Sequence, residues 1–167
     1  MDYKKIIGLI KEIFNKGFGT SFDIEYNSRK EIVESNPTFN IGENAAAFYD
    51  TGSKRIYMFS DVIDKIRLNN LNGNFDQGLT FLIHAIFHEL EHLIQREHPE
   101  KLKNQFEYSK EMYDIENIIM MMRRFDSQLF DLDYKKMHDN FLLEIDADIK
   151  GVNNAKGFVK HYGIERY

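Results

Sequence analysis

The chain contains no cysteine among its 167 residues, and this absence limits the chemistry that it can carry. Disulfide frameworks, thiol nucleophiles and cysteine-ligated zinc sites are all excluded. Any metal bound by this protein must therefore be held by histidine and carboxylate side chains. Tryptophan is also absent and proline occurs only twice, so a proline-rich linker or disordered region is not expected.

Long hydrophobic runs and a strong net charge are missing as well. No segment approaches the roughly 18 consecutive apolar residues that a membrane-spanning helix needs. Residues 1–16 are interrupted by lysines and their apolar residues recur at helical spacing, which indicates an amphipathic helix and not a signal peptide. We therefore expect a cytoplasmic protein without a membrane partner. The formal charge is −5 with both signs mixed along the chain, so nucleic acid is not an expected partner.

The residues that are present suit one folded domain over residues 1–167. Apolar residues make up 43% of the chain and aromatic residues 14%, which is enough for a core at this length. Hydrophobic periodicity predicts strands at 21–26, 45–49 and 55–59, and helices at 1–16, 61–68, 77–97, 109–125 and 134–152, with a short helix after the last. The predicted fold class is therefore α+β, a small antiparallel sheet followed by a mostly helical half.

The strongest motif is His88-Glu89-x-x-His92, which lies inside the predicted helix 77–97. The spacing of the two histidines places both rings on one helix face about one turn apart, where they can share one zinc ion. Glu89 lies beside the first histidine and can reach a zinc-bound water, as in the metallopeptidase motif His-Glu-x-x-His. The ordinary alternative is a set of polar positions on an amphipathic helix. The surrounding residues are apolar, however, and buried polar groups need a partner such as a metal.

A catalytic zinc site needs a third protein ligand, and His98 is one candidate. It has the outer spacing of the metzincin motif His-Glu-x-x-His-x-x-Gly-x-x-His. The glycine of that motif lets the chain leave the helix, but Gln95 occupies this position here. A helix that continues through Gln95 would carry His98 away from the face of the two motif histidines.

The second candidate is Glu144, which shares a face of the predicted helix 134–152 with Asp148. The histidine motif followed by Glu144-x-x-Ala147-Asp148 resembles the gluzincin metallopeptidases, in which a downstream helix supplies a glutamate ligand. The resemblance implies a zincin-like fold with one zinc ion per chain on both histidines and Glu144. It also implies Glu89 as general base and Asp148 as the residue that orients a ligand histidine.

Other polar residues are further candidates for roles in such a site. Glu111, Asp114 and Glu116 are fallback ligands on the predicted helix 109–125. We favour Glu144 over all of its rivals, because it shares a helix face with Asp148 and because the metzincin glycine before His98 is missing.

Related enzymes also use a histidine or tyrosine after the glutamate ligand to hold the oxyanion. His161 and Tyr162 are in that region, and Tyr134 and His138 precede the ligand, although each such residue more often packs as an ordinary aromatic. His84, one turn before the first ligand, is interpreted as a hydrogen-bonded helix residue.

Together the motifs predict a zinc-dependent hydrolase of peptide bonds, with a zinc-activated water and Glu89 as general base. The expected partner is a peptide or protein substrate, added as a strand at a sheet edge formed by residues 45–47 or 55–59. The alternative is a zinc-binding regulatory or protein-interaction domain with little or no free peptidase activity. A purely structural site is disfavoured, because such sites are usually closed by four protein ligands and have no use for a base.

Overall fold

The computed structural model describes residues 3–19, 21–39, 41, 45–69, 75–101, 110–111, 114 and 141–164. Five helices and three strands are described: α1 (Tyr3–Phe18), β1 (Asp23–Asn27), α2 (Arg29–Ser35), β2 (Ala47–Asp50), β3 (Arg55–Phe59), α3 (Ser60–Asn69), α4 (Phe75–Glu97) and α5 (Leu142–Tyr162). A short 3-10 turn, Pro99–Lys101, follows α4. The predicted α+β class is confirmed. Within this described part of the chain, no helix is both long and apolar enough to cross a membrane.

The three strands form one sheet in the order β1-β3-β2. Strand β2 pairs antiparallel with β3, whereas β1 pairs parallel with β3. The predicted antiparallel sheet is therefore wrong for β1, and the sheet is mixed. The physical reason is the long connection between β1 and β3, which contains α2 and β2 and returns the chain to the same end of the sheet. Because β3 is the central strand, residues 55–59 do not form an edge, which corrects one of the two predicted edges.

Helix α2 is not among the predicted elements, because its seven residues are too few to show a helical period. It begins with a capping box at Ser28, whose hydroxyl accepts a hydrogen bond from the Glu31 backbone N–H. The Glu31 carboxylate accepts in return from the Ser28 backbone N–H at 3.0 Å. Ile32 then packs with Tyr57 and Phe59 on one face of the sheet.

The predicted hairpin between β2 and β3 is confirmed. Its turn is closed by the Asp50 carboxylate, which accepts hydrogen bonds from the backbone N–H groups of Gly52 at 3.2 Å and Ser53 at 3.0 Å. Strand β3 is buried over its last four residues, as expected for a central strand.

The main core lies on the other face of the sheet, where α1, α4 and α5 bury their apolar sides. The fully buried members are Ile6, Ile10, Ile56, Met58, Ile63, Leu82, Ile83, Ile86, Leu90 and Leu93. Helix α4 contributes about half of them, which places the histidine motif on a helix that the core holds on several sides.

Helix α5 differs from its prediction at the C-terminal end. It runs without a break to Tyr162, whereas the sequence predicts an end at residue 152 and a separate short helix. The helix ends at Gly163, whose φ of 63° is the left-handed conformation that glycine adopts readily. The predicted residues 134–140 lie outside the described residues. Within the predicted helix 109–125 only residues 110–111 and 114 are described, and they are helical.

Helices α4 and α5 cross closely at Gly151. A Cβ atom at this position would lie 3.0 Å from the backbone nitrogen of His88 and 3.1 Å from its Cα atom. These neighbours are backbone atoms of the first motif residue and cannot turn aside. A glycine at position 151 therefore sets how near the two helices come.

We expect the substitution Gly151→Ala to lower the free energy of unfolding by about 1–3 kcal/mol, because it overpacks the helix crossing. The matched control is Gly157→Ala on the same helix, where an added Cβ meets no atom within 4 Å and the residue is exposed. That variant should gain about 0.5–1 kcal/mol, since alanine favours the helix. Urea unfolding of both variants checks the difference, and equal effects would contradict a close crossing at position 151.

Candidate metal centre

Three side chains from two helices converge on one point of the α4–α5 interface. His88 and His92 come from α4 and Glu144 from the first turn of α5, and together they form a group that can hold a metal ion. The two histidine Nε2 atoms are 3.0 Å apart. The Glu144 carboxylate oxygens lie 3.3 Å from His88 Nε2 and 3.4 Å from His92 Nε2.

The separations between these atoms suit a tetrahedral zinc ion. Two donors that each lie about 2.0–2.1 Å from one zinc ion are about 3.3–3.4 Å apart in tetrahedral geometry. The two nitrogen–oxygen separations, each to a different carboxylate oxygen of Glu144, are close to this value, and the nitrogen–nitrogen separation of 3.0 Å is slightly shorter. The donor set of two imidazoles and one carboxylate therefore fits a metal ion in size as well as in chemistry.

The other ring nitrogen of each histidine is also engaged. His88 Nδ1 lies 2.9 Å from Oδ1 of Asp148, and His92 Nδ1 lies 2.9 Å from Oε1 of Gln95. A carboxylate or amide oxygen only accepts hydrogen bonds, so each Nδ1 carries the hydrogen and donates it. In a neutral ring the lone pair is then on Nε2, which is the atom that points into the site.

The site therefore brings together three hydrogen-bond acceptors, which repel one another unless a proton or a cation lies among them. Burial opposes the charged form of His92, but its hydrogen bond with Glu144 and the negative charges of Glu89 and Glu144 outweigh burial and raise its pKa to about 9. The pKa of His88 is raised in the same way, against burial, by Glu144 and Glu89. The surroundings thus favour a positive charge at the centre of the group.

Glu89 lies beside this group on α4 and is only 8% exposed. Burial raises the pKa of its carboxyl group, while the neighbouring His92 and His88 oppose that rise. The backbone N–H of Tyr49 on β2 donates a hydrogen bond to the Glu89 carboxylate. Glu89 is therefore a buried carboxylate fixed between the edge of the sheet and the histidines. A raised pKa makes it a stronger base than an exposed glutamate.

The fallback ligand Glu111 has a different role in the structure. Its carboxylate accepts hydrogen bonds from the backbone N–H groups of Leu142 at 2.6 Å and Leu143 at 2.9 Å. These are the first residues of α5, so Glu111 caps the helix turn that carries Glu144. Asp114 is exposed and does not join the donor group formed by the described residues, and Glu116 lies outside them.

His98 is not a member of the donor group within the described residues. Helix α4 continues through Gln95 to Glu97, as expected without the metzincin glycine. His98 follows the helix, where its Nδ1 lies 3.2 Å from Oε1 of Glu100 and its ring is beside Phe18. The structure therefore places His98 away from the two motif histidines.

The predicted oxyanion donors do not reach the site. His161 and Tyr162 are in the last turn of α5, whereas Glu144 is in its first turn, and this 21-residue helix separates them by about 25 Å. The cause is that α5 continues where the sequence predicts a break, so the chain does not fold back toward Glu144. The other two candidates, Tyr134 and His138, lie outside the described residues, as do Glu116 and the three methionines at 120–122.

His84 packs beside His88, and a Cβ on Gly151 would approach its ring at 3.4 Å. A hydrogen bond with the backbone of Asp148 engages one side of the ring, in agreement with its interpretation as a hydrogen-bonded helix residue. Its Nε2 atom is buried without a hydrogen-bond partner in the described structure. Burial lowers the pKa of His84 and so favours its neutral form.

Two contributors to the site are not predicted from the sequence. Gln95 is one turn after His92 on the same helix, a spacing that could have indicated the contact. The cap by Glu111 connects residues far apart in sequence, and no local pattern indicates it. Comparisons of the chain with known protein families, with curated proteins and with solved structures gave no match. The chemistry of the site is therefore inferred from its own geometry.

We expect the substitution Glu144→Ala to weaken metal binding, probed with added zinc, by more than about 100-fold, since removing a ligand should exceed the loss from removing a residue that only orients one. His98→Ala is the matched control. It also removes a histidine close to the motif in sequence, but His98 is not part of the donor group. It should leave zinc affinity unchanged. Competition with a chromophoric chelator measures both affinities, and the reverse order of effects would show that His98 is the third ligand.

Proposed function

We propose that this protein is a zinc-dependent hydrolase of peptide bonds, with one zinc ion per chain on His88, His92 and Glu144. The observation that carries the proposal is the convergence of two histidines and one carboxylate. Each histidine donates its Nδ1–H to a neighbouring side chain, so the Nε2 lone pairs of both rings face the carboxylate of Glu144. Such a site is stabilised by a cation. Three protein ligands in the described group leave a position open, as in catalytic zinc sites and unlike structural ones.

The same donor set also suits non-haem iron(II), so the choice of metal depends on what lies next to the ligands. Glu89 is the discriminating residue, because a buried carboxylate beside the ligands can serve as a base for hydrolysis. The absence of cysteine fits zinc bound through nitrogen and oxygen alone. We therefore favour zinc and a hydrolytic reaction.

In this proposal, bound zinc supplies Lewis-acid chemistry, which lowers the pKa of water toward about 7 and polarises a carbonyl oxygen. Glu89 accepts the proton of the attacking water at its carboxylate and later donates it to the leaving amine. Its raised pKa suits both steps, since the protonated form is less costly than for an exposed glutamate. The N–H of Tyr49 orients the carboxylate, and Asp148 orients the ring of His88.

The position of strand β2 supports a peptide as the substrate. The carbonyl of Ala46 accepts a hydrogen bond from the Phe59 N–H at 2.9 Å, so it points toward the central strand β3. Backbone groups alternate along a strand, and the groups of Ala47 and Tyr49 therefore point to the outer edge, where Tyr49 meets Glu89. A peptide paired with this edge as an added strand would pass beside the proposed base.

As part of the same proposal, we infer that the site is built like that of the gluzincin metallopeptidases. This likeness rests on the histidine motif of α4 and on two carboxylates of α5, of which Glu144 contacts both histidines and Asp148 contacts His88. A zincin-like arrangement of the sheet and the motif helix is part of what we propose.

We expect Glu89→Gln to retain one zinc ion per chain and to lower the rate of peptide cleavage by about 10²–10⁴-fold, because it removes the base and leaves the ligands in place. The matched control is Glu97→Gln on the same helix, whose carboxylate forms an ion pair with Lys54 at the surface. Zinc content by elemental analysis and cleavage of a peptide library are measured for the wild type and both variants.

Three outcomes are informative. Zinc in all three proteins with cleavage lost only in Glu89→Gln supports the peptidase. Zinc in all three with no cleavage by the wild type contradicts catalysis and favours the regulatory domain. A wild-type protein that binds no zinc at near-neutral pH, or that retains iron instead, contradicts the proposal as a whole.

A further inference from the structure

Gln95 lies in the interface between α4 and α5 and is only 3% exposed. Its amide oxygen is 2.9 Å from Nδ1 of His92 on its own helix. Its amide nitrogen donates a hydrogen bond of 2.9 Å to the backbone carbonyl of Leu143 on α5. A buried glutamine thus connects a proposed zinc ligand to the first turn of the other helix.

The orientation of this amide follows from the chemistry of its neighbours. The Leu143 carbonyl can only accept a hydrogen bond, so the amide nitrogen must face it and the amide oxygen must face His92. An amide oxygen can only accept, so the hydrogen of His92 must be on Nδ1. A backbone carbonyl that cannot change its role therefore determines, through Gln95, which ring nitrogen of His92 carries the hydrogen.

We propose that Gln95 is a positioning residue that holds His92 in the tautomer whose Nε2 faces Glu144 and is free to bind a metal. The inference rests on the proposed metal site and adds a residue to it. The metzincin motif has a glycine at position 95 and gives no role to the glutamine that occupies this position here.

A second contact secures the amide in this orientation. The Gln95 amide nitrogen also lies 3.4 Å from Oδ2 of Asp146, and the same oxygen accepts a hydrogen bond of 2.7 Å from Lys150. A rotated amide would place its oxygen against this carboxylate and against the Leu143 carbonyl, and both contacts would be repulsive. Only one orientation of Gln95 is therefore compatible with its surroundings.

The two histidines are thus oriented by different chemical groups. His88 donates to the carboxylate of Asp148, whose side chain is 65% exposed, whereas His92 donates to a neutral amide in a buried position. His92 already faces the negative charges of Glu89 and Glu144. A neutral acceptor orients its ring without a further buried negative charge, which would be costly away from water.

The test compares Gln95→Met with the wild type, because methionine keeps the length and helix preference of glutamine but replaces the amide oxygen with a thioether sulfur, which is only a weak acceptor for Nδ1–H. Arg96→Met is the matched control, since it introduces the same residue at the next, exposed position of α4. Zinc affinity is measured by chelator competition, and the Nδ1–H signals of His88 and His92 are observed by ¹H–¹⁵N NMR of the zinc-loaded proteins.

We expect Gln95→Met to weaken zinc affinity by about 10–100-fold, and to lose the exchange-protected Nδ1–H signal of His92 while that of His88 remains. Arg96→Met should change neither. A residue that only packs the two helices would leave the His92 signal in place. Equal zinc affinity and an unchanged His92 signal in Gln95→Met would overturn the inference and leave the proposed function intact.

Gln95→Glu provides the second test and is decisive if Gln95→Met does not fold. A protonated glutamate, the form that burial beside Asp146 favours, accepts from His92 with its carbonyl oxygen and donates to the Leu143 carbonyl with its hydroxyl, so the protected Nδ1–H signal should persist. Its loss in a folded Gln95→Glu protein would contradict the inference. A wild-type protein that binds no zinc would instead contradict the proposed function, so the two failures are distinguishable.

Discussion

The close crossing of α4 and α5 brings Glu144 to the two motif histidines. Gly151 faces the backbone of His88 with no room for a side chain, and Gln95 contacts Leu143 further along the pair. The two helices therefore run past each other in opposite directions. Counting back from the crossing along α5, Asp148 comes one turn earlier and Glu144 a further turn earlier, each on the side that faces the histidines.

This crossing has an electrostatic consequence. It places a carboxylate and two imidazole lone pairs within 3.4 Å of one another, beside a second buried carboxylate at Glu89. Such groups attract positive charge strongly in a partly dry interface, and the pKa of about 9 for His92 expresses that attraction. The hydrogen bonds on the outer nitrogens keep both rings from turning away. A preorganised group of this kind can bind a cation without rearrangement.

The parts of the site that depend on one helix could be predicted from the sequence. The pairs His88 with His92 and Glu144 with Asp148 follow from helical spacing, which is a local property of the chain. The parallel pairing of β1 could not, because it depends on the short helix α2, whose seven residues show no clear period.

Other features escaped prediction for a related reason. His161 and Tyr162 were candidates because the resemblance places a histidine or tyrosine after the glutamate ligand, but α5 continues through Gly151 and Gly157 and keeps them at its far end. The contact between Gln95 and Leu143 joins two helices distant in sequence, and no pattern within either helix indicates it. Both features depend on contacts between elements, and those contacts form only when the helices pack together.

The most direct measurement of the central claim is zinc K-edge X-ray absorption of the protein loaded with one equivalent of zinc. We expect nitrogen and oxygen neighbours at about 2.0–2.1 Å, with the outer-shell scattering that two imidazole rings produce. The contribution of one ring should disappear in His92→Ala. A spectrum with only oxygen neighbours and no imidazole scattering would contradict the claim that His88 and His92 bind zinc.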